Sequence, residues 1–181
     1  MDPRSALYGL TAALLSVIPA FAAQDVLYSQ SSDRPGVFED YARKAPELRI
    51  RTADVRSVIV PHHLLAGAQL HGLFRALKPS VKDVRRIVIV GPDHFLEELP
   101  LVILADLPWK TPFGIVSCDK ATVRLIAEKL PAAKVLSLVH NKEHSISSVI
   151  PFGAEFFPGV PVDPVIVKPG LAGDAAAALG D

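Results

Sequence analysis

Two histidines, His62 and His94, each follow a short β-branched run: Val58-Ile59-Val60-Pro61-His62 in one case, Ile87-Val88-Ile89-Val90-Gly91-Pro92-Asp93-His94 in the other. The segment between the runs has room for one helix and its turns, so the pair has the form of a strand, helix, strand unit. If the two strands are parallel neighbours, both imidazoles emerge at the carboxyl edge of the sheet, where open α/β sheets place their ligands. Two neutral imidazoles converging in a crevice make half of a metal site. A lone strand-end histidine is more often a hydrogen-bonded structural residue; the equivalence of two such positions is what favours a site.

His144 is the third candidate, within Asn141-Lys142-Glu143-His144-Ser145 and just ahead of an apolar helical run. Free amide donors at a helix start would hold an anion or lower a histidine pKa, and His144 could then act as an acid or base. Asn141 or Ser145 could equally be a simple cap, with Glu143 favourable to the helix dipole. His63 points away from His62 if strand geometry persists, and reads as a loop histidine. His71 and His140 read as structural or exposed. Cys118 reads as a buried thiol rather than a nucleophile. Trp109 to Gly114 is a turn-rich loop that could line a pocket.

The elements that must position these residues alternate in type. Ser57 to Val60 reads as a strand ended by Pro61. Leu64 to Leu77 reads as a helix, because Ala66, Leu70, Leu73, Phe74 and Leu77 recur at three and four residues, although Gly67 and Gly72 weaken that reading. Arg86 to Val90 has the four consecutive β-branched residues of an interior parallel strand. Leu101 to Leu104 is a third strand, Asp119 to Leu130 a helix, and Lys134 to Val139 a strand. Glu143 to Phe157 is a helix kinked or split by Pro151, and Val162 to Val167 is a last strand. The alternation predicts an α/β fold, a three-layer sandwich around a mostly parallel central sheet.

Half of the 181 residues are hydrophobic, enough for one buried core. Lys plus Arg equals Asp plus Glu at 19 each, so no basic field attracts nucleic acid. A single cysteine excludes an intramolecular disulfide. The apolar stretch from Leu7 to Ala23, with Ala20-Phe21-Ala22 before polar Gln24-Asp25, predicts a cleaved signal peptide over residues 1–23 and an exported protein. An uncleaved membrane anchor is the alternative. Residues 24–56 read as a connecting segment with a short helix around Val37 to Lys44, leaving 57–181 as the α/β domain. Asp174 to Leu179 looks like the first turns of a further helix, which suggests an incomplete chain.

Pro61-His62, Gly91-Pro92-Asp93-His94-Phe95, Thr111-Pro112-Phe113-Gly114 and Glu143-His144-Ser145, followed by Ile150-Pro151-Phe152, resemble in order and spacing the motifs of the Memo-like family, also called AmmeMemoRadiSam system protein B. The match covers roughly Val58 to Val167. That family resembles the class III extradiol dioxygenases, whose α/β domain binds non-haem iron through two histidines and a carboxylate. The resemblance implies that His62 and His94 are metal ligands and that His144 lies beside the site as a catalytic acid or base. It also implies a divalent metal, iron or copper, and a small-molecule substrate. His63-Leu64-Leu65 departs from the Ala-Gly-Tyr that usually follows the first motif. The Ser-Ser-Asp segment and further metal-ligand position of the family are not in this sequence, so the chain is expected to be truncated at its C-terminus. The resulting expectation is a Memo-like protein with a dioxygenase-type metal pocket, a metal-dependent oxidoreductase. The alternative is a non-catalytic binding protein that uses the same pocket for a small ligand or protein partner.

Overall fold

A computed structural model describes residues 26–50, 55–81, 83–95 and 100–169; the expected signal segment at 1–23 and the expected helix start at 174–179 lie outside them. In chain order the described elements are β1 (Leu27–Tyr28), α1 (Pro35–Lys44), α2 (Gly67–Leu77), β2 (Ile87–Pro92), β3 (Val102–Leu104), β4 (Trp109–Thr111), β5 (Gly114–Val116), α3 (Lys120–Lys129), β6 (Ala133–Val135), α4 (His144–Ser147), α5 (Ile150–Phe156) and β7 (Val162–Val167). Single 3₁₀ turns precede α2, follow it and precede α4. Among these residues no helix is long and apolar enough to cross a membrane.

The central sheet has the order β2-β7-β3-β6. β2 and β7 are parallel, as are β3 and β6, while β3 runs antiparallel to β7. Successive side chains of a strand face opposite ways. Ile87 and Ile89 therefore share a face with Val162, Ile166 and Ile103, and that face packs on Ile146 and Ile150 of α4 and α5. α1 and α2 extend the same layer through Phe38, Leu70, Phe74 and Phe152. On the opposite face Val102, Leu104 and Val165 pack against Val123 of α3 and Leu130 just beyond it. Helices thus cover both sides of a mostly parallel sheet, as the alternation of segments predicts. Gly67 and Gly72 belong to α2 because neighbours come close there: a Cβ would lie 2.3 Å from the Tyr41 ring at one and 2.7 Å from the Pro46 carbonyl at the other.

Several expected elements differ. Ser57 to Val60 is not a strand; it runs beside β2 without pairing, and Ile59 is fully exposed. Four apolar residues ended by a proline form a strand only when their backbone groups find a ladder, and Val55 instead donates to the Ser80 carbonyl. β2 is consequently an edge strand among the described residues rather than an interior one. Val88 and Val90 lie exposed because α3 covers only the other end of that face. β7 is the buried interior strand, and Pro164 is tolerated there because the β3 ladder covers only Val165 to Val167.

The expected loop at Trp109 to Gly114 is the β4–β5 hairpin, with Gly114 at φ 111° and Thr111 Oγ1 donating to the Gly114 carbonyl. Parallel pairing of β1 with β4 makes a small second sheet. Leu27 and Phe38, from the segment read as connecting, are both core residues. Lys134 to Val139 keeps strand form only to Val135. The helix expected over Glu143 to Phe157 is two, with α5 restarting at Ile150 and Pro151 in its first turn, where its missing N–H costs nothing.

Candidate metal centre

β2 delivers His94. Its ladder with β7 is carried one residue past the strand by the bond from Asp93 N to the Val167 carbonyl (2.8 Å). The Asp93 carboxylate then accepts the Phe95 N–H (3.0 Å), a local turn that swings the chain off the sheet and sets the His94 imidazole at its edge. His62 arrives differently from its expected strand end. It lies in the extended loop before α2, where its carbonyl accepts a hydrogen bond from Ser148 Oγ (2.6 Å). The Ser148 hydroxyl also lies 2.7 Å from the His144 carbonyl, so one proton is shared between two acceptors that bring the His62 loop and α4 together.

α4 delivers His144 and seats against β2 through a glycine. A Cβ on Gly91 would lie 2.5 Å from Ser145 Oγ and 2.8 Å from Ser145 Cβ, so only glycine permits this approach. Ser145 Oγ donates to the Pro92 carbonyl across the contact (2.9 Å). With four residues α4 is too short for the helix-dipole role expected at His144. Its cap is Glu143, which accepts from Ser145 N; Asn141 accepts from Tyr28 N instead and ties β1 to the same region.

The three histidines converge. The His94 and His144 rings are 4.1 Å apart between centroids, His62 and His94 4.9 Å, and His62 and His144 5.8 Å. One ring nitrogen from each lies within 4.8 Å of the other two, a group that could hold a metal ion. The set stands partly open to solvent, with the His94 side chain 32 % exposed. Beneath it Glu143 is fully buried. Glu143 Oε2 accepts the His94 N–H (2.9 Å), while Oε1 accepts from Ser145 N (2.8 Å) and lies 2.7 Å from His94 Nδ1.

Burial pushes the Glu143 carboxyl up, but the N–H groups of His94 and Ser145 and the His94 ring outweigh it and hold the carboxylate below its ordinary value. Burial, followed by the neighbouring His94, lowers His144, with Glu143 opposing. An imidazole lowered in this way stays neutral at physiological pH and keeps a lone pair free for a proton or a metal.

The other candidates stand apart in role. His63 caps the 3₁₀ turn before α2, its Nδ1 accepting from Leu65 N (3.1 Å), with its ring 5.8 Å from His144. His71 is buried against Phe156, with Nε2 3.2 Å from Glu155 Oε1. His140 is completely buried beside Trp109, and burial brings its pKa down to about 4. Cys118 is half-buried, its thiol pushed up by burial and by Asp163 and Asp106, which suits an inert thiol. Thr111 to Gly114 turns a hairpin whose Phe113 packs on Phe38. Sequence reasoning missed Glu143, Gly91 and Ser148 as parts of the site. The Glu-His-Ser string was visible, but a contact 49 residues away in sequence was not.

An α/β sheet with three imidazoles gathered at one strand end defines a candidate metal-binding protein of the layered-sandwich class. The chain belongs to the Memo-like family, whose model matches residues 28–180. It is 32 % identical over 122 residues to a MEMO1 family protein of Caldivirga maquilingensis, covering 62 % of this chain and 40 % of that protein. Against MEMO1 family proteins of Pyrobaculum arsenaticum and Thermotoga maritima the identities are 30 % and 32 % over 111 residues, covering 60 % of this chain and 39 % of theirs in both cases. The matched part of this chain thus spans about two-fifths of each of these relatives.

Proposed function

We propose that His62, His94 and His144 hold one divalent transition metal, iron or copper, in a dioxygenase-type pocket, and that the protein is a metal-dependent oxidoreductase acting on a small molecule. The observation that carries the reading is the convergence of three imidazole nitrogens within 4.8 Å, from a loop, a strand end and a short helix far apart in sequence. Neutral imidazole donors suit iron and copper, and among the described residues the group that could hold an ion consists of histidines alone. A metal bound there supplies Lewis acidity and a one-electron couple. His144 joins the donor set rather than standing aside as an acid or base. The partly exposed side of His94 leaves room for a small molecule to approach.

Metal analysis of protein purified without added metal tests this reading against a His62→Ala, His94→Ala double variant. About one metal per chain, lost in the variant, is the expected result; no metal in either sinks the proposal. A His144→Ala variant that keeps full metal stoichiometry would return His144 to the acid–base role.

A second reading, a non-catalytic protein that binds a small ligand, is favoured by the apolar groove of about 490 Å³ between Val58 to Val60 and β2, which ends on His62, Gly91 and Ser145. Ligand binding that persists in the double variant, with no metal-dependent oxidation in the parent, supports it. We further propose that the N-terminal segment directs export; a mature protein that still begins at Met1 and stays inside the cell contradicts this.

A further inference from the structure

We propose that Glu143 is a positioning residue that fixes the tautomer of His94, holding the proton on Nδ1 so that the Nε2 lone pair faces the cluster. The inference rests on the reading of the three histidines as a metal site, but its main observable is in the metal-free protein.

Glu143 has two oxygens and meets three nitrogens at hydrogen-bond distance, His94 N on Oε2 and His94 Nδ1 together with Ser145 N on Oε1, while His144 Nδ1 stands further off, 3.6 Å from Oε1. Two of these are backbone N–H groups, which only donate, one on each oxygen. Both oxygens must therefore accept, and an ionised carboxylate offers nothing to His94 Nδ1 but acceptance. The imidazole carries its proton on Nδ1, and the opposite ring nitrogen is left bare. Glu143 is buried, and its backbone is held by Ser147 Oγ, which donates to the Glu143 carbonyl (2.9 Å). Carboxylates behind ligating histidines commonly set the tautomer and ring orientation in this manner.

A glutamine cannot substitute. Whichever way its amide is turned, the NH₂ group faces a backbone N–H, either that of His94 or that of Ser145. With the amide oxygen toward His94 N, the NH₂ also points at Nδ1 and favours a proton on Nε2; turned the other way the oxygen still accepts from Nδ1, so the variant mixes the two tautomers.

The test is long-range ¹⁵N–¹H NMR of the imidazoles in the metal-free full chain near pH 8, with His94 assigned by loss of its signals in His94→Gln. The parent is expected to show His94 predominantly in the Nδ1–H form. Glu143→Gln is expected to raise the Nε2–H form to a major species and to weaken cobalt(II) binding roughly 10- to 100-fold. Glu143→Asp keeps a carboxylate and is expected to restore part of the Nδ1–H population. His94 found mainly as Nε2–H in the parent overturns the proposal, and needs no variant to fold. So does a folded Glu143→Gln with the parental tautomer, or with the parental cobalt affinity. A parent with the Nδ1–H form that takes up no metal supports the positioning role while removing the metal reading.

Discussion

Replacing Gly91 by alanine tests how closely α4 must sit on β2. The added methyl would meet Ser145 Oγ at 2.5 Å, Ser145 Cβ at 2.8 Å and Ile146 Cδ1 at 2.9 Å. Rotating the serine hydroxyl relieves only the first of these. Bringing the Cβ–Cβ distance to ordinary contact moves α4 away by about 0.6 Å, which strains a packed region by about 1–3 kcal/mol. The same shift stretches the Ser145 bond to the Pro92 carbonyl, worth about 1 kcal/mol. Against this, alanine stabilises by about 0.4–1 kcal/mol through the unfolded chain. The steric terms win, and the net loss is about 2 kcal/mol, or a fall in Tm of about 4–8 °C. Because Glu143 immediately precedes α4, its bond to His94 lengthens too, and cobalt(II) affinity should drop by roughly 10-fold. Calorimetry and a cobalt titration of Gly91→Ala read both effects. Gly36→Ala in α1, where nothing lies within 4 Å, is the control and should raise stability slightly. A Gly91→Ala protein that melts with or above the parent and binds cobalt equally refutes the reasoning.

Two further outcomes follow from the same contacts. The completely buried His140 has a folded pKa near 4, below its ordinary 6.5, so the unfolded chain takes up a proton first as pH falls. Its effect is absent above pH 7 and grows through the window from 6.5 to about 4, reaching a loss of about 3 kcal/mol. Denaturation at stepped pH should show that loss in the parent and a flatter curve for His140→Leu; identical slopes would contradict the assignment. Ser148→Ala removes a side-chain tether on the His62 carbonyl and should cost about 1 kcal/mol while weakening cobalt binding. A folded Ser148→Ala protein that binds cobalt as tightly as the parent would show that the tether is irrelevant.

The sequence made the layered α/β fold legible wherever an element carried its own period. α2 announced itself by apolar residues at three and four, and α3 was expected one residue early, since Asp119 is its cap rather than its first residue. β3 and β7 were evident from short apolar runs with turn residues at their ends. What failed depended on partners distant in the chain. The Ile-Val-Ile-Val run of β2 has the composition of an interior strand, yet its place at the sheet edge is decided by whether Ser57 to Val60 pairs with it. The β4–β5 hairpin hid behind a Pro-Phe turn and a buried tryptophan. For the site, an expected strand end picked out both His62 and His94, although the run before His62 is no strand, and a helix start together with motif order picked out His144. Glu143 looked like a cap, which it is; its second role, beneath His94, requires the Gly91 approach that no periodicity reveals.

X-ray absorption of the iron- or copper-loaded protein examines the central claim most directly, because it reads the atoms around the metal. Three histidine ligands predict a first shell of nitrogen donors with the multiple-scattering pattern of imidazole. That pattern should weaken in His144→Ala and disappear in the His62→Ala, His94→Ala double variant. A shell of oxygen donors without imidazole scattering, or a spectrum unchanged by the double variant, would contradict a metal centre built on His62, His94 and His144.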